Sequence, residues 1–130
     1  MSGETDLTIM LKTMSPVLND GDYVFCTVSS LADINANEIV SFFKEQEALT
    51  IILKKETADK LNLIYDYVAA WITLSVHSSL AATGLTAAFA TALAKEHISC
   101  NVVAAYYHDH IFVAKDDAEK AMRVLRQLAE

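Results

Sequence analysis

The sequence predicts an α+β fold of two ferredoxin-like βαββα units in tandem, the first abridged, with antiparallel sheet and helices on one face. Three observations carry this. The second half runs strand, helix, strand, strand, helix by its apolar periods. A strand-then-helix segment near residue 51 recurs sixty positions later, near residue 111. The composition, 53% hydrophobic and 21% charged over 130 residues, is that of a globular chain. A chain of this size can bury roughly two thirds of its unfolded surface, so it needs no disulfide or metal staple.

Leu7, Met10, Leu11 and Met14 fall on one helical stripe. Thr5 or Asp6 can cap that helix, and Ser15-Pro16 ends it. Asn19-Asp20-Gly21 reads as a turn and Tyr23 to Val28, β-branched and aromatic, as a strand. Residues 29–37 are polar and loop-like. Strands are expected at Ile39 to Phe43 and Leu49 to Leu53, joined by the charged turn 44–47, and a short helix at Glu56 to Leu61. The period-2 alternation from Val68 to Val76 gives a long strand. From Thr83 the period becomes helical, with Leu85, Ala88, Phe89, Ala92 and Leu93 in one stripe. Asn101 to Tyr107 and His110 to Ala114 read as strands joined at His108-Asp109. Asp116 is expected to cap the last helix, with Glu119 completing a capping box. The core stripe of that helix is Ala118, Ala121, Met122, Leu125 and Leu128.

The repeat aligns Ile51, Lys55, Ala58 and Lys60 with Ile111, Lys115, Ala118 and Lys120. Upstream, Val28 aligns with Val76, only 48 positions apart, so the first copy has lost most of a helix between its first two strands. The expected division is 1–66 for the abridged unit with its N-terminal helix and 67–130 for the second. The second unit lacks a final strand, which the first half has strands to supply.

Ten Lys+Arg against 17 Asp+Glu leave a net charge of −7. Nucleic acid is therefore an unexpected partner, because duplex affinity comes mostly from neutralised phosphates. Three glycines and one proline leave no material for a glycine-rich phosphate loop. Cys26 and Cys100 form no CxxC pair and read as reduced thiols, which with the acidic start Met1 to Asp6 points to the cytoplasm. No acidic or basic residue occurs from Tyr67 through Ala94. His77-Ser78-Ser79 and the change of period within that stretch favour a buried strand followed by a buried helix over a membrane span.

Val76-His77-Ser78-Ser79-Leu80-Ala81-Ala82-Thr83-Gly84-Leu85-Thr86 resembles the strand–loop–helix opening of ACT domains. Ile98 to Val103 and Tyr106 to Val113 resemble their second and third strands. The chain as a whole is similar to small bacterial proteins of tandem ACT-like type, over roughly residues 20–128. Two departures stand out: the first copy lacks its first helix, and the turn at Glu96-His97 has no glycine where many ACT domains have one. The resemblance implies regulation rather than catalysis, with a small ligand, often an amino acid, held where domains meet.

The segment 78–86 is the leading site by its own chemistry. The unpaired N–H groups that open a helix suit a carboxylate. Ser78, Ser79 and Thr83 add hydroxyls, Gly84 allows close approach to the backbone, Leu85 opens the helix, and Asp109 could pair with a ligand amine. A capped helix with a packing glycine is the plainer alternative. His108-Asp109-His110 could suggest a metal, but no further Cys or His is near in sequence, and a hairpin turn stabilised by Asp109 explains it as well. His77 beside Ser78 or Ser79, and His97 near Cys100, lack an orienting carboxylate for nucleophilic catalysis. No catalytic residue, metal or cofactor is therefore assigned. A small enzyme using His77 or His108/His110, or a ligand-free assembly protein, are the alternatives. Apolar residues on both parities of the second-half strands, Trp71 and Phe112 among them, lead to the expectation of a homodimer or larger symmetric assembly covering a bare sheet face.

Overall fold

The computed structural model describes residues 6–76 and 83–130. In chain order the elements are α1 (Leu7–Thr13), β1 (Ser15–Leu18), β2 (Tyr23–Val28), β3 (Ile39–Lys44), β4 (Leu49–Lys54), α2 (Lys55–Lys60), β5 (Val68–Ser75), α3 (Leu85–Lys95), β6 (Asn101–Ala104), β7 (Asp109–Ala114) and α4 (Ala118–Leu128). Single 3-10 turns precede β3 at Ala36–Glu38 and α4 at Lys115–Asp117. By contact, the chain forms two compact units, Asp20–Ala69, and the described residues up to Asn19 together with Ala70–Glu130.

In the Asp20–Ala69 unit the sheet order is β3-β4-β2 followed by the opening of β5. All its pairings are antiparallel, from Tyr23↔Lys54 to Val28↔Leu49 and at Tyr23↔Ala69 and Val24↔Val68. β3 pairs with β4 through a register shift between Ile39 and Ser41. The core is Val24, Cys26, Ile51, Leu53 and Ala58. As the repeat implies, the crossover from β2 to β3 carries one 3-10 turn where a full unit has a helix. Asn35 caps that turn by accepting from the Asn37 N–H at 3.0 Å.

The other unit has the order β1-β5-β7-β6. β5, α3, β6, β7 and α4 supply the split βαβ plan, and β1 fills the fourth place by pairing antiparallel with β5 from Ser15↔Ser75 to Leu18↔Ile72. The missing strand thus comes from the first half, but from a stretch that reads only as a helix stop. The apolar parity of β5 (Ala70, Ile72, Leu74), continued by Val76 just after it, packs with Ile111 and Val113 against Leu85, Phe89 and Leu93 of α3 and Ala121, Met122 and Leu125 of α4. α1 adds Met10, wholly buried, and Met14 follows in the same cluster. Burial of a side chain the size of Phe89 or Leu93 stabilises by about 1.5–3 kcal/mol. Neither lies at the surface.

The sixty-residue offset holds in three dimensions. β4 and β7 begin at 49 and 109, and Ile51 and Leu53 are as fully buried as Ile111 and Val113. Both hairpins close alike: the Glu45 N–H donates to the Ala48 carbonyl at 3.1 Å, and the Ala105 N–H to the His108 carbonyl at 3.0 Å. The second of these places the turn at Tyr106-Tyr107, so β6 is shorter than its apolar run and His108-Asp109 is not the turn. The last helix also differs from expectation. Lys115–Asp117 wind as a 3-10 turn, and Asp117, without a side-chain cap bond, stands at the N-cap in place of Asp116.

The face of β5 and β7 away from the helices is less bare than the sequence suggests. Phe112 is 1% exposed and stacks on Trp71 with ring centres 6.2 Å apart. Neither belongs to the exposed large apolar residues among those described in this unit, which are Leu7, Ile9, Val17, Tyr106 and Tyr107. Among the described residues no helix is long and apolar enough to cross a membrane. The described part of the uncharged stretch contains β5 and most of α3.

Candidate ligand-binding site

α3 opens on Gly84, whose φ of 95° is left-handed, a conformation glycine adopts without a Cβ penalty. Among the described residues no side chain caps this helix end. The first intrahelical bond runs from the Ala88 N–H to the Gly84 carbonyl at 2.9 Å, so the N–H groups of Leu85, Thr86 and Ala87 have no partner within the helix. They carry the positive end of an eleven-residue dipole. Thr83 is exposed beside them, while the Leu85 side chain is only 4% exposed in the core. Leu85 can therefore offer a ligand its backbone and little else. Ser78, Ser79 and His77 lie outside the described residues.

Asp109 begins β7, opposite Ala104 and on the parity of the buried Ile111 and Val113. Burial raises its carboxyl above the ordinary range, and the neighbouring His110 pulls it partly back. β7 neighbours β5. The pairing is marked by the Trp71 indole N–H donating to His110 Nδ1 at 3.0 Å and by Thr73 Oγ1 at 3.2 Å from the same nitrogen. His110 thus faces Thr73, and Asp109 lies beside the end of β5 that leads into residues 77–84. A helix-opening set of N–H groups and a carboxylate suit the two ends of an amino acid, an anion at one and an amine at the other.

The sequence presents Trp71 as one of the apolar residues of a bare sheet face and His110 as part of a potential metal cluster, and gives no sign that they bond each other. They share a face only through the adjacency and register of β5 and β7, which the residue pattern does not carry. The Asn19 amide extends the cluster, donating to Thr73 Oγ1 at 3.0 Å and to the Trp71 carbonyl at 3.2 Å. Burial lowers His110 below the usual histidine range, the nearby His108 lowers it further, and Asp109 opposes both. His108 and His110 have ring centres 6.4 Å apart, and His108 Nδ1 is buried with no hydrogen-bond partner among the described residues. No group of three His, Cys, Asp or Glu among the described residues could hold a metal ion. Cys26 and Cys100 are free thiols, one in each unit. Burial pushes Cys100 up to about 11, away from nucleophilic use.

ACT-domain family profiles match residues 2–70 and again residues 67–127. This chain belongs to the ACT-domain family. As a tandem ACT protein it is similar to a solved structure from Vibrio cholerae, a protein of unknown function described as a possible transport protein. The identity is 49%, over 95% of this chain and 96% of that one, with a TM-score of 0.87. At the level of fold it is similar to an Agrobacterium tumefaciens protein, with 20% identity, 89% of each chain covered and a TM-score of 0.63. It is likewise similar in fold to the ligand-free regulatory subunit of aspartate kinase from Thermus thermophilus. There the identity is 10%, 92% of this chain and 99% of that one are covered, and the TM-score is 0.66. No curated protein sequence matches the chain.

Proposed function

We propose that this ACT protein is a non-catalytic regulatory module that binds a free amino acid in its second copy, at a subunit interface. The observation that carries the reading is the α3 N-terminus, without a side-chain cap among the described residues, behind a left-handed Gly84 in the one copy that keeps its crossover helix. The ligand carboxylate takes the N–H groups from Leu85 onward, with Ser78, Ser79 and Thr83 supplying hydroxyls. Asp109 takes the amine. The fold shared with an aspartate kinase regulatory subunit supports a regulatory role, and the free thiols suit a reducing cytoplasm. Calorimetric titration of the full chain with each free amino acid tests this. Saturable binding that weakens at least tenfold in Asp109→Asn is expected, as loss of a charge-assisted bond costs about 1.5–3 kcal/mol. Absence of binding by every amino acid at millimolar concentration contradicts it.

The ligand-free assembly reading draws on a separate observation. The two equivalent hairpin tips differ, Gln46-Glu47 in one copy and Tyr106-Tyr107 in the other, and the tyrosines are 57% and 67% exposed. Aromatic side chains displayed this way are common at protein interfaces. In both readings the chain forms a homodimer or larger symmetric assembly. Light scattering at micromolar concentration should find it, and a mass near 14.3 kDa excludes it.

A further inference from the structure

We propose that His110 is an acid-released latch, its neutral imidazole tying β7 to β5 through Trp71 and Thr73, and proton uptake at Nδ1 freeing Trp71. The indole N–H can only donate, so the nitrogen it meets at 3.0 Å must carry a lone pair. His110 is therefore neutral, with its proton on Nε2. Thr73 shares that nitrogen at 3.2 Å and already accepts from the Asn19 amide, so its own hydroxyl proton is available for Nδ1. The two contacts respond differently to acid. When Nδ1 gains a proton, the Thr73 hydroxyl can rotate and become an acceptor. The indole cannot, and two N–H groups then face each other. The bond that breaks is Trp71 to His110, and no atom other than the solvent proton is exchanged.

The surroundings set the sign of the response. Among the described residues the titratable neighbours are His108, whose ring centre is 6.4 Å away, and Asp109. From β5 the facing groups are Trp71 and Thr73, and from β6 the register partner is Val103, none of them charged at neutral pH. Burial and His108 outweigh Asp109, so the latch holds at neutral pH and opens only below the usual histidine range. Its chemistry does not depend on any ligand. It does join the strand leading into residues 77–84 to the strand that starts at Asp109, so release loosens the frame of the proposed site.

Trp71 is the sole tryptophan and reports on the latch directly. The full chain would be titrated from pH 8 to 5 at fixed ionic strength. Trp71 emission, the indole N–H resonance, the histidine ring resonances and far-ultraviolet dichroism would be followed together. The expected result is one transition in the tryptophan signals, with the midpoint of the His110 ring itself, below about 6.5, while the dichroism stays constant. His110→Gln, whose amide oxygen accepts from the indole at any pH, should abolish the transition. His108→Gln should keep it and raise the midpoint. Tryptophan signals that stay flat, or that titrate with a midpoint different from the His110 ring, overturn the proposal whether or not either variant folds. Persistence of the transition in a folded His110→Gln protein does the same.

Discussion

Two residues with left-handed backbone bracket α3, and they differ in how well chemistry suits them. Gly84 at the N-terminus has φ 95°, and a Cβ there would come within 3.2 Å of Leu7 Cδ2. Gly84→Ala should therefore destabilise the protein by about 1–2 kcal/mol in urea unfolding. His97, at the other end, holds φ 61° where many ACT domains have glycine. The sequence departs from the family there, yet the turn is kept, closed by the Ile98 N–H to the Leu93 carbonyl at 3.0 Å. His97→Gly should stabilise by roughly 0.5–1 kcal/mol in the same measurement, because the strained side chain is removed. Asp109 makes the opposite kind of test. Its carboxyl titrates higher folded than unfolded, so the native state holds the proton more tightly. Its contribution to stability thus falls as pH rises out of the ordinary carboxylate range, and at neutral pH the buried charge is a cost. Asp109→Asn should unfold at a higher temperature at pH 7 while binding ligand less well, the pattern of a residue kept for function. His110 works with reversed sign. Its folded value lies below its unfolded one, so its contribution is full above about pH 6.5 and is lost as pH falls towards the folded value. None of these environments could be read from residue identity, because each depends on which strand lies beside which.

At the scale of elements, long periodic segments were legible and short ones were not. β5 and α3 announce themselves through periods sustained over eight and eleven residues. β1 has four residues and contains Pro16, which in a linear reading stops a helix. In the fold Pro16 lies in a strand whose mapped pairing is with β5 alone, the edge position a strand proline tolerates. The 3-10 turn at Lys115–Asp117 likewise moved the α4 cap by one residue, a shift the spacing of acids cannot encode. The N-terminal segment is nonetheless structural, since Met10, Met14 and Leu18 join the same core as α3 and α4. Met10→Ala should cost about 2–5 kcal/mol by chemical denaturation, as expected for emptying a fully buried site. A fragment starting at residue 67 should bind a hydrophobic dye and unfold without a cooperative transition. A cooperative transition in that fragment would show that β1 is dispensable.

Across the whole molecule, duplication explains more than any single motif does. The copies keep the hairpin, the buried Ile51/Ile111 and Leu53/Val113 pairs, and the charged start of the helix that follows, while only one keeps the crossover helix. Sixty-residue self-similarity made the ACT-like plan visible in the sequence. The partner of the second unit's open edge stayed hidden, because strands exchanged along a chain leave no periodic trace. The loss of one helix also fixes an expectation for function. If the amino-acid site depends on the N-terminus of a crossover helix, the chain has one such site and not two. The most direct measurement is a titration of the isotopically labelled full chain with the amino acid that binds best, followed amide by amide with calorimetric stoichiometry alongside. The predicted result is one ligand per chain, with the largest shifts at Thr83 to Ala87 and at Asp109-His110. Two ligands per chain, or shifts concentrated in residues 29–38, would contradict it.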